Sequence, residues 1–552
     1  MKILIVGGVA GGATAAARMR RMDENAEIIL FERGDYISYA NCGLPYYIGG
    51  TIDGREELLL QTPEGMNRRY AVDVRTGSEA VALNPEEKTL TVRTLASGET
   101  YTEHFDKLLL STGAEPLRPP IAGIRHPHIF TLRNIPDTDA LKTFVRQQRP
   151  ASAVIVGGGF IGLEMSENLH QAGVEVHLVE MADQVMAPLD YSMAAIVHQH
   201  LRQKGVHLWL GEKVKEFAPL ASSAGKLAVQ MDSGRTLETD LVILSIGVRP
   251  ETKLAQASGL ETGKLGGIAV NAFMQTSHPD IYAIGDAVEV FNPATDSPAM
   301  IPLAGPANKQ ARIAADNILQ GNSRAYGGSI GVSVAKVFDL TVASAGAPAK
   351  LLKRLGVNCI SSYTHGLSHA GYYPGAQPLS VKIIFSPADG QLFGVQIAGY
   401  GGVDKRIEMC SQIIRRKGTV CDLAELEQAY APPYSSAKDP VNTAGFVAEN
   451  ILTGKVKIAH WRDIRTLNFE KDFLLDVRTV EENKQNRIEG SHLIPVDELR
   501  SRLGEIPRHK RIIVYCAVGL RGYIASRILM QHGFREVYNL SGGITTYTYA
   551  AS

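Results

Sequence analysis

The chain has 552 residues, 45% hydrophobic and 21% charged, and its 57 basic side chains are balanced by 57 acidic ones. That length exceeds one ordinary core and predicts roughly three or four domains, while a formal charge of zero excludes the broad basic field that a nucleic-acid partner requires. No apolar run approaches the ~20 residues of a membrane span, and the opening "MKILIVGGVAGG" is too short and glycine-broken for a signal-peptide core. The five cysteines form no C-x-x-C pair and no zinc-spaced cluster with histidine, so neither a metal site nor a disulfide framework is expected. The resulting expectation is a cytoplasmic chain with reduced thiols and no membrane partner.

In chain order, "KILIVGGVAGGATAAARMRRM" reads as a buried strand, a glycine turn and an alanine-rich helix, followed by the strand "AEIILFERG" ending in Glu32. This is the pattern of a dinucleotide-binding unit. Glycine lets backbone N–H groups approach a pyrophosphate at the helix N-terminus, and the acid bonds a ribose. Gly7, Val9, Ala10, Gly12, Glu32 and Arg33 are the candidates here, with Val9 standing where the second glycine of G-x-G-x-x-G belongs. Next comes "SYANCGLPYYIGG", in which Cys42 stands alone between Asn41 and Gly43. Arg133 follows as another cofactor candidate.

A second unit, "ASAVIVGGGFIGLEMSENLHQAGVEVHLVE", carries all three glycines, Gly157, Gly159 and Gly162, with Ile161 between them and a strand ending in Glu180. The interval from Gly157 to Glu180 suits a ribose-binding acid. No arginine follows Glu180 closely, which favours NADH over NADPH. Buried strands recur in "DKLLLSTGAEP", "TDLVILSIGVRPET" and "TSHPDIYAIGDAVE", the last ending in Gly285-Asp286.

From residue 1 to about 450 this set resembles the flavin-dependent pyridine nucleotide–disulfide oxidoreductases. The resemblance implies FAD in the first unit, a nicotinamide nucleotide in the second, and Asp286 on the flavin ribitol, with Ala304 nearby. The implied organisation is α/β, with a discontinuous FAD domain (1–150 and 251–325), an NAD(H) domain (151–250) and an α+β dimerisation domain (326–450). Most members carry C-x-x-x-x-C beside the flavin, yet no second thiol follows Cys42. A single redox cysteine must cycle through a sulfenate or a mixed disulfide with a small thiol. The stretch is similar to the single-cysteine branch: coenzyme A–disulfide reductases, persulfide and polysulfide reductases, and NADH oxidases or peroxidases.

Arg18, Arg20 and Arg21 on the first helix, with Arg68 and Arg69, form either a solvated face or a pocket for the phosphates of coenzyme A. The resemblance favours the pocket, with Arg18, Arg21 and Arg69 at the nucleotide end. It places Ser38, Asn41 and Asn308 near the thiol end and makes Lys438 a further contact. Arginines near Cys42 are expected to lower its pKa. In "SHAGYYPGAQPL" and "AYAPPYSSAKDPVN", Tyr372 and Tyr430 match tyrosines that reach the cysteine across a homodimer, with Tyr373 and Tyr434 close enough to compete for the assignment.

From about 456 to 552 a new strand–helix alternation resembles a rhodanese domain. Cys516 ends a buried strand and opens "CAVGLRG", where Arg521 closes the loop and adds positive charge. Such a loop suits a cysteine that carries sulfane sulfur. Cys359, Cys410 and Cys421 are expected to pack. The whole implies NADH-dependent reduction of persulfides, polysulfides or coenzyme A disulfides through Cys42 and FAD. An NADH oxidase cycling a sulfenate, or a sulfurtransferase using the flavin module as scaffold, are the alternatives.

Overall fold

The computed structural model describes residues 1–220 and 225–551. It comprises two compact units, Met1–Ala182 with Val206–Gly331, and Asp183–Gly205 with Val332–Ser552.

In the first unit, Ile3, Leu4 and Ile5 are fully buried on both faces of the sheet, as a central parallel strand requires. Each such side chain contributes ~1.5–3 kcal/mol by burial, so this short strand tolerates no polar replacement. Lys2–Val6 pairs in parallel with Glu27–Phe31 on one side and Lys107–Leu110 on the other, and Asp73–Arg75 and Ile281–Ala283 complete the sheet. Strand order reverses at Lys2–Val6, which opens a crevice at the strand C-termini where α/β sheets bind ligands. The arrangement repeats around Ser152–Val156, flanked by Glu175–Glu180 and Leu241–Leu244 and then by His207–Leu210 and Ile129–Phe130. Antiparallel three-stranded sheets (Ser78–Asn84, Thr89–Thr94, Thr100–His104; Val214–Pro219, Leu227–Met231, Thr236–Thr239) accompany the two halves.

The second unit contains an antiparallel sheet in the order Ser333–Val337, Leu340–Gly346, Leu392–Gly399, Pro378–Phe385, Ile360–Leu367. Helix Tyr191–Gln203, which the sequence places in the second dinucleotide domain, packs in this unit. Asp190, its N-cap, accepts hydrogen bonds from Lys382 Nζ (2.7 Å) and Gln396 Nε2 (3.0 Å), and Ser192 Oγ donates to Tyr363 Oη (2.9 Å). A last parallel sheet runs Lys457–Ala459, Val537–Leu540, Arg511–Tyr515, Asp472–Asp476, His492–Leu493. It is tied to the antiparallel sheet by Tyr363 N–H donating to Ser541 Oγ (3.0 Å) and by His365 Nε2 with Thr546 Oγ1 (2.7 Å). Among the described residues no helix is long and apolar enough to cross a membrane.

Candidate active site

The two glycine loops are built alike. Gly8 N–H donates to Glu32 Oε2 and Gly34 N–H to Oε1, both at 2.8 Å. In the second loop Gly158 N–H donates to Glu180 Oε2 (2.7 Å) and Ala182 N–H to Oε1 (2.8 Å). Each acid is therefore pinned at the loop mouth, with lone pairs left for a further donor. Gly157 has φ +108°, and a Cβ there would lie 2.4 Å from the Ser245 carbonyl oxygen, so only glycine fits. A Cβ on Gly159, in contrast, would meet no protein atom within 4 Å. That open cradle at the start of helix Phe160–Gln171, which has no side-chain cap, fits a pyrophosphate. In the first loop Val9 precedes helix Ala10–Met22, likewise uncapped, and Gly12 sits against Gly7. Ile161 and Ala304 occupy the first turns of uncapped helices. Asp286 is a half-buried carboxylate with no hydrogen-bond partner among the described residues. Burial pushes its pKa up against the pull of Arg133, and the group suits a ligand hydroxyl. Arg33 is half exposed, 3.5 Å from Glu115.

Cys42 lies in a short 3-10 turn, Asn41–Gly43, leading into helix Leu44–Ile48. Its backbone N–H donates to Asn41 Oδ1 (3.1 Å), and its thiol lies 3.8 Å from the same oxygen. Ser38 precedes the turn in a left-handed backbone (φ +44°), its N–H donating to the Gly8 carbonyl (2.9 Å). A non-glycine residue there costs ~1–2 kcal/mol, so the glycine loop holds this segment under strain. Gly49, at the end of the cysteine's helix, lies against Asn168 of the second glycine helix; a Cβ there would come within 2.2 Å of Asn168 Oδ1. These segments place Cys42 beside Glu164 and Asp286. The expectation that arginines depress the thiol's pKa is overturned. Although Cys42 is exposed at the chain's surface, the desolvating segments around it raise the thiol's pKa, and the negative charges of Glu164 and Asp286 push the same way. Arg18 is turned away onto Asp316 (2.8 Å), and Arg20 is buried, donating to the carbonyls of Asp23, Glu24, Ala26, Tyr70 and Ala71.

Glu164 is the functional candidate that the sequence reading missed. Burial, helped by Glu167, raises its pKa to about 7. The signal lay in comparing the two units: two residues after the last glycine, the first has Thr14 and the second has Glu164. As pH rises through 7, Glu164 ionises and opposes a thiolate at Cys42. Glu164→Gln is therefore expected to lower the Cys42 pKa, read from the pH dependence of its alkylation rate; an unmoved midpoint removes Glu164 from the thiol's surroundings.

Of the proposed phosphate ligands, Arg21 and Arg69 are exposed on neighbouring helices, Ala10–Met22 and Pro63–Tyr70. Asn308 accepts from Thr14 Oγ1 (2.7 Å), binding helix Ala304–Gln320 to the first helix. In the second unit the hydroxyls of Tyr372 and Tyr430 share a 2.6 Å hydrogen bond, which raises the Tyr430 pKa. Tyr373 packs edge-on against His369 instead, and Lys438 is exposed.

Cys516 is buried at the end of Arg511–Tyr515, and Gly519 N–H donates to its sulfur at 3.1 Å, just before helix Leu520–Gln531. Arg521 lies in that helix rather than closing the loop, and its charge is compensated by Glu482 through bonds of 2.6 and 2.7 Å. The pairing holds Glu482 at a pKa of about 2. Glu482, which the sequence reading did not single out, also completes a capping box with Thr479. Cys410 is buried as expected, but Cys421 is exposed, because its place in helix Val420–Ala424 faces outward.

The family model described as pyridine nucleotide-disulphide oxidoreductase matches residues 1–311, and its dimerisation-domain counterpart matches 332–440. The chain belongs to the pyridine nucleotide–disulphide oxidoreductases. This oxidoreductase also matches a rhodanese-like domain over residues 462–550, as its last sheet and Cys516 loop imply. It is 35% identical over 448 residues to the coenzyme A disulfide reductase of Staphylococcus aureus (strain bovine RF122 / ET3-1), covering 81% of this chain and 100% of the relative. The reduced Bacillus anthracis CoADR-RHD structure superposes with a TM-score of 0.96 at 49% identity, covering 100% of this chain and 98% of that one. A NAD-dependent persulfide reductase from A. fulgidus gives a TM-score of 0.92 at 36% identity, covering 99% and 100%. Membership in this oxidoreductase family implies FAD and a nicotinamide nucleotide, and the dimerisation domain fits a homodimer.

Proposed function

We propose that the chain uses NADH to reduce coenzyme A disulfides, persulfides and polysulfides, with Cys42 as the attacking thiol and Cys516 as the handler of sulfane sulfur. The observation that carries this reading is the solitary Cys42, set beside Glu164 and Asp286 with no second cysteine in reach along its segment. The S. aureus and A. fulgidus proteins, whose names specify coenzyme A disulfide and persulfide reduction, support it.

The Cys42 thiolate attacks one sulfur of a coenzyme A disulfide, forming a mixed disulfide and expelling one thiolate, which takes a proton. The first glycine loop and Asp286 would hold FAD, which when bound would supply a two-electron relay from NADH. Resolution of the mixed disulfide frees the second thiol, so NADH, one proton and one S–S bond give NAD+ and two thiols. A persulfide gives one thiol and one sulfide by the same balance. We assign proton supply to the Tyr372–Tyr430 hydroxyl pair in the assembled dimer, because a phenol bonded to a second phenol can donate to a leaving thiolate. Arg21 and Arg69 bind the coenzyme A phosphates, while Ser38, Asn41 and Asn308 line the thiol end and Lys438 is a further contact. Glu180 meets the NADH ribose, where its negative charge opposes a 2′-phosphate.

The test is anaerobic turnover with coenzyme A disulfide. Two thiols per NADH are expected; NADH consumption that requires oxygen and leaves the disulfide intact assigns an oxidase instead. Cys516→Ser is expected to depress polysulfide or thiosulfate use far more than coenzyme A disulfide use. Equal losses on both contradict a separate entry point for sulfane sulfur.

A further inference from the structure

The second dinucleotide sheet carries a cluster that the reductase chemistry does not use. Glu175 opens strand Glu175–Glu180 and His177 follows two positions later, so both side chains stand on one face. The edge strand His207–Leu210 pairs in parallel, in a register that sets His207 beside His177. The two imidazoles stack with centroids 4.6 Å apart and planes 16° from parallel. Glu175 Oε1 lies 3.0 Å from His207 Nε2 and 3.6 Å from His177 Nε2. One donor atom from each of the three residues lies within 4.8 Å of the other two.

We propose that Glu175, His177 and His207 form a binding site for a divalent transition metal of the zinc class. Two imidazoles and one carboxylate are a donor set that zinc takes when a fourth position stays open to water. With ligands ~2.0–2.1 Å from the metal, tetrahedral geometry separates donor atoms by about 3.4 Å, and the two distances to Glu175 Oε1 bracket that value. Both imidazoles reach one ion once the exposed His207 ring turns out of its stack on the largely covered His177, because imidazole lone pairs lie in the ring plane.

The site sits at the N-terminal ends of its strands, and Glu180 with its glycine loop at the C-terminal ends, about 16 Å along a six-residue strand. The metal thus touches no nucleotide group; it clips the sheet's edge strand to its neighbour. Trp209, two residues beyond His207, reports on it. Its indole N–H donates to His177 Nδ1 (3.3 Å). A metal on Nε2 moves the neutral ring's proton to Nδ1, so the indole loses its acceptor.

The test uses chelator-stripped, flavin-loaded full-length protein titrated with zinc chloride, with Trp461→Phe as background, since Trp209 and Trp461 are the two tryptophans. One more zinc ion per chain is expected than in the same protein carrying His207→Asn or Glu175→Gln, and Trp209 emission is expected to change on zinc addition only with the cluster intact. NADH-driven flavin reduction checks that each variant is folded, and either variant alone decides the matter. Equal zinc uptake, or Trp209 emission that zinc leaves unmoved, overturns the site.

Discussion

Cys42→Ser is expected to cut NADH-dependent reduction of coenzyme A disulfide and persulfide on the order of a thousandfold or more, the scale of losing an essential nucleophile. Serine is nearly isosteric, and both glycine loops and Asp286 lie outside the change, so the purified variant is expected to keep its yellow flavin spectrum. Steady-state turnover beside the visible spectrum checks both halves. Unimpaired turnover removes Cys42 from the reaction. Loss of flavin binding instead makes the cysteine's segment structural.

The second large effect is one of stability. Arg406 is fully buried on helix Val403–Arg415, and its guanidinium grips both oxygens of Asp439 at 2.6–3.0 Å. Asp439 also accepts from Ser435 Oγ and caps helix Pro440–Leu452 through Val441 N–H. Burial alone would raise the Asp439 pKa; Arg406 and Ser435 outweigh it and hold it low. Asp439→Asn leaves a buried guanidinium without its counter-charge, a loss of about 3–5 kcal/mol, measured by denaturant unfolding. An Arg406→Leu, Asp439→Leu double variant is expected to recover part of that loss, because an apolar pair removes both desolvation costs. A single variant as stable as the parent means the pair contributes little. A depressed carboxyl pKa has a definite sign: its stabilisation is present above the ordinary aspartate value and is lost as pH falls through the depressed one. The same aspartate ends the segment that bears Tyr430 and Lys438, so its loss also loosens that loop.

Features encoded within a few residues were legible in the sequence. The strand–glycine–helix–acid units, the lone Cys42 and the Cys516 loop each combine neighbours along the chain, and local geometry follows from spacing. What stayed hidden depends on partners far apart in sequence. Nothing near Glu164 announces Cys42, which precedes it by more than a hundred residues, and so the thiol's surroundings looked basic when they are acidic. Arg20 read like Arg18 and Arg21, yet its position on the helix turns it into the core, where carbonyls of the following turn and of Tyr70 and Ala71 consume its donors. His177 and His207 likewise meet only through strand register.

The most direct measurement is mass spectrometry of the oxidised protein after reaction with coenzyme A disulfide, followed by peptide mapping without reductant. The account predicts one coenzyme A joined by a disulfide to the peptide bearing Cys42 and released by NADH. A coenzyme A adduct on Cys516 or Cys421 alone, or an adduct on Cys42 that NADH leaves in place, contradicts it.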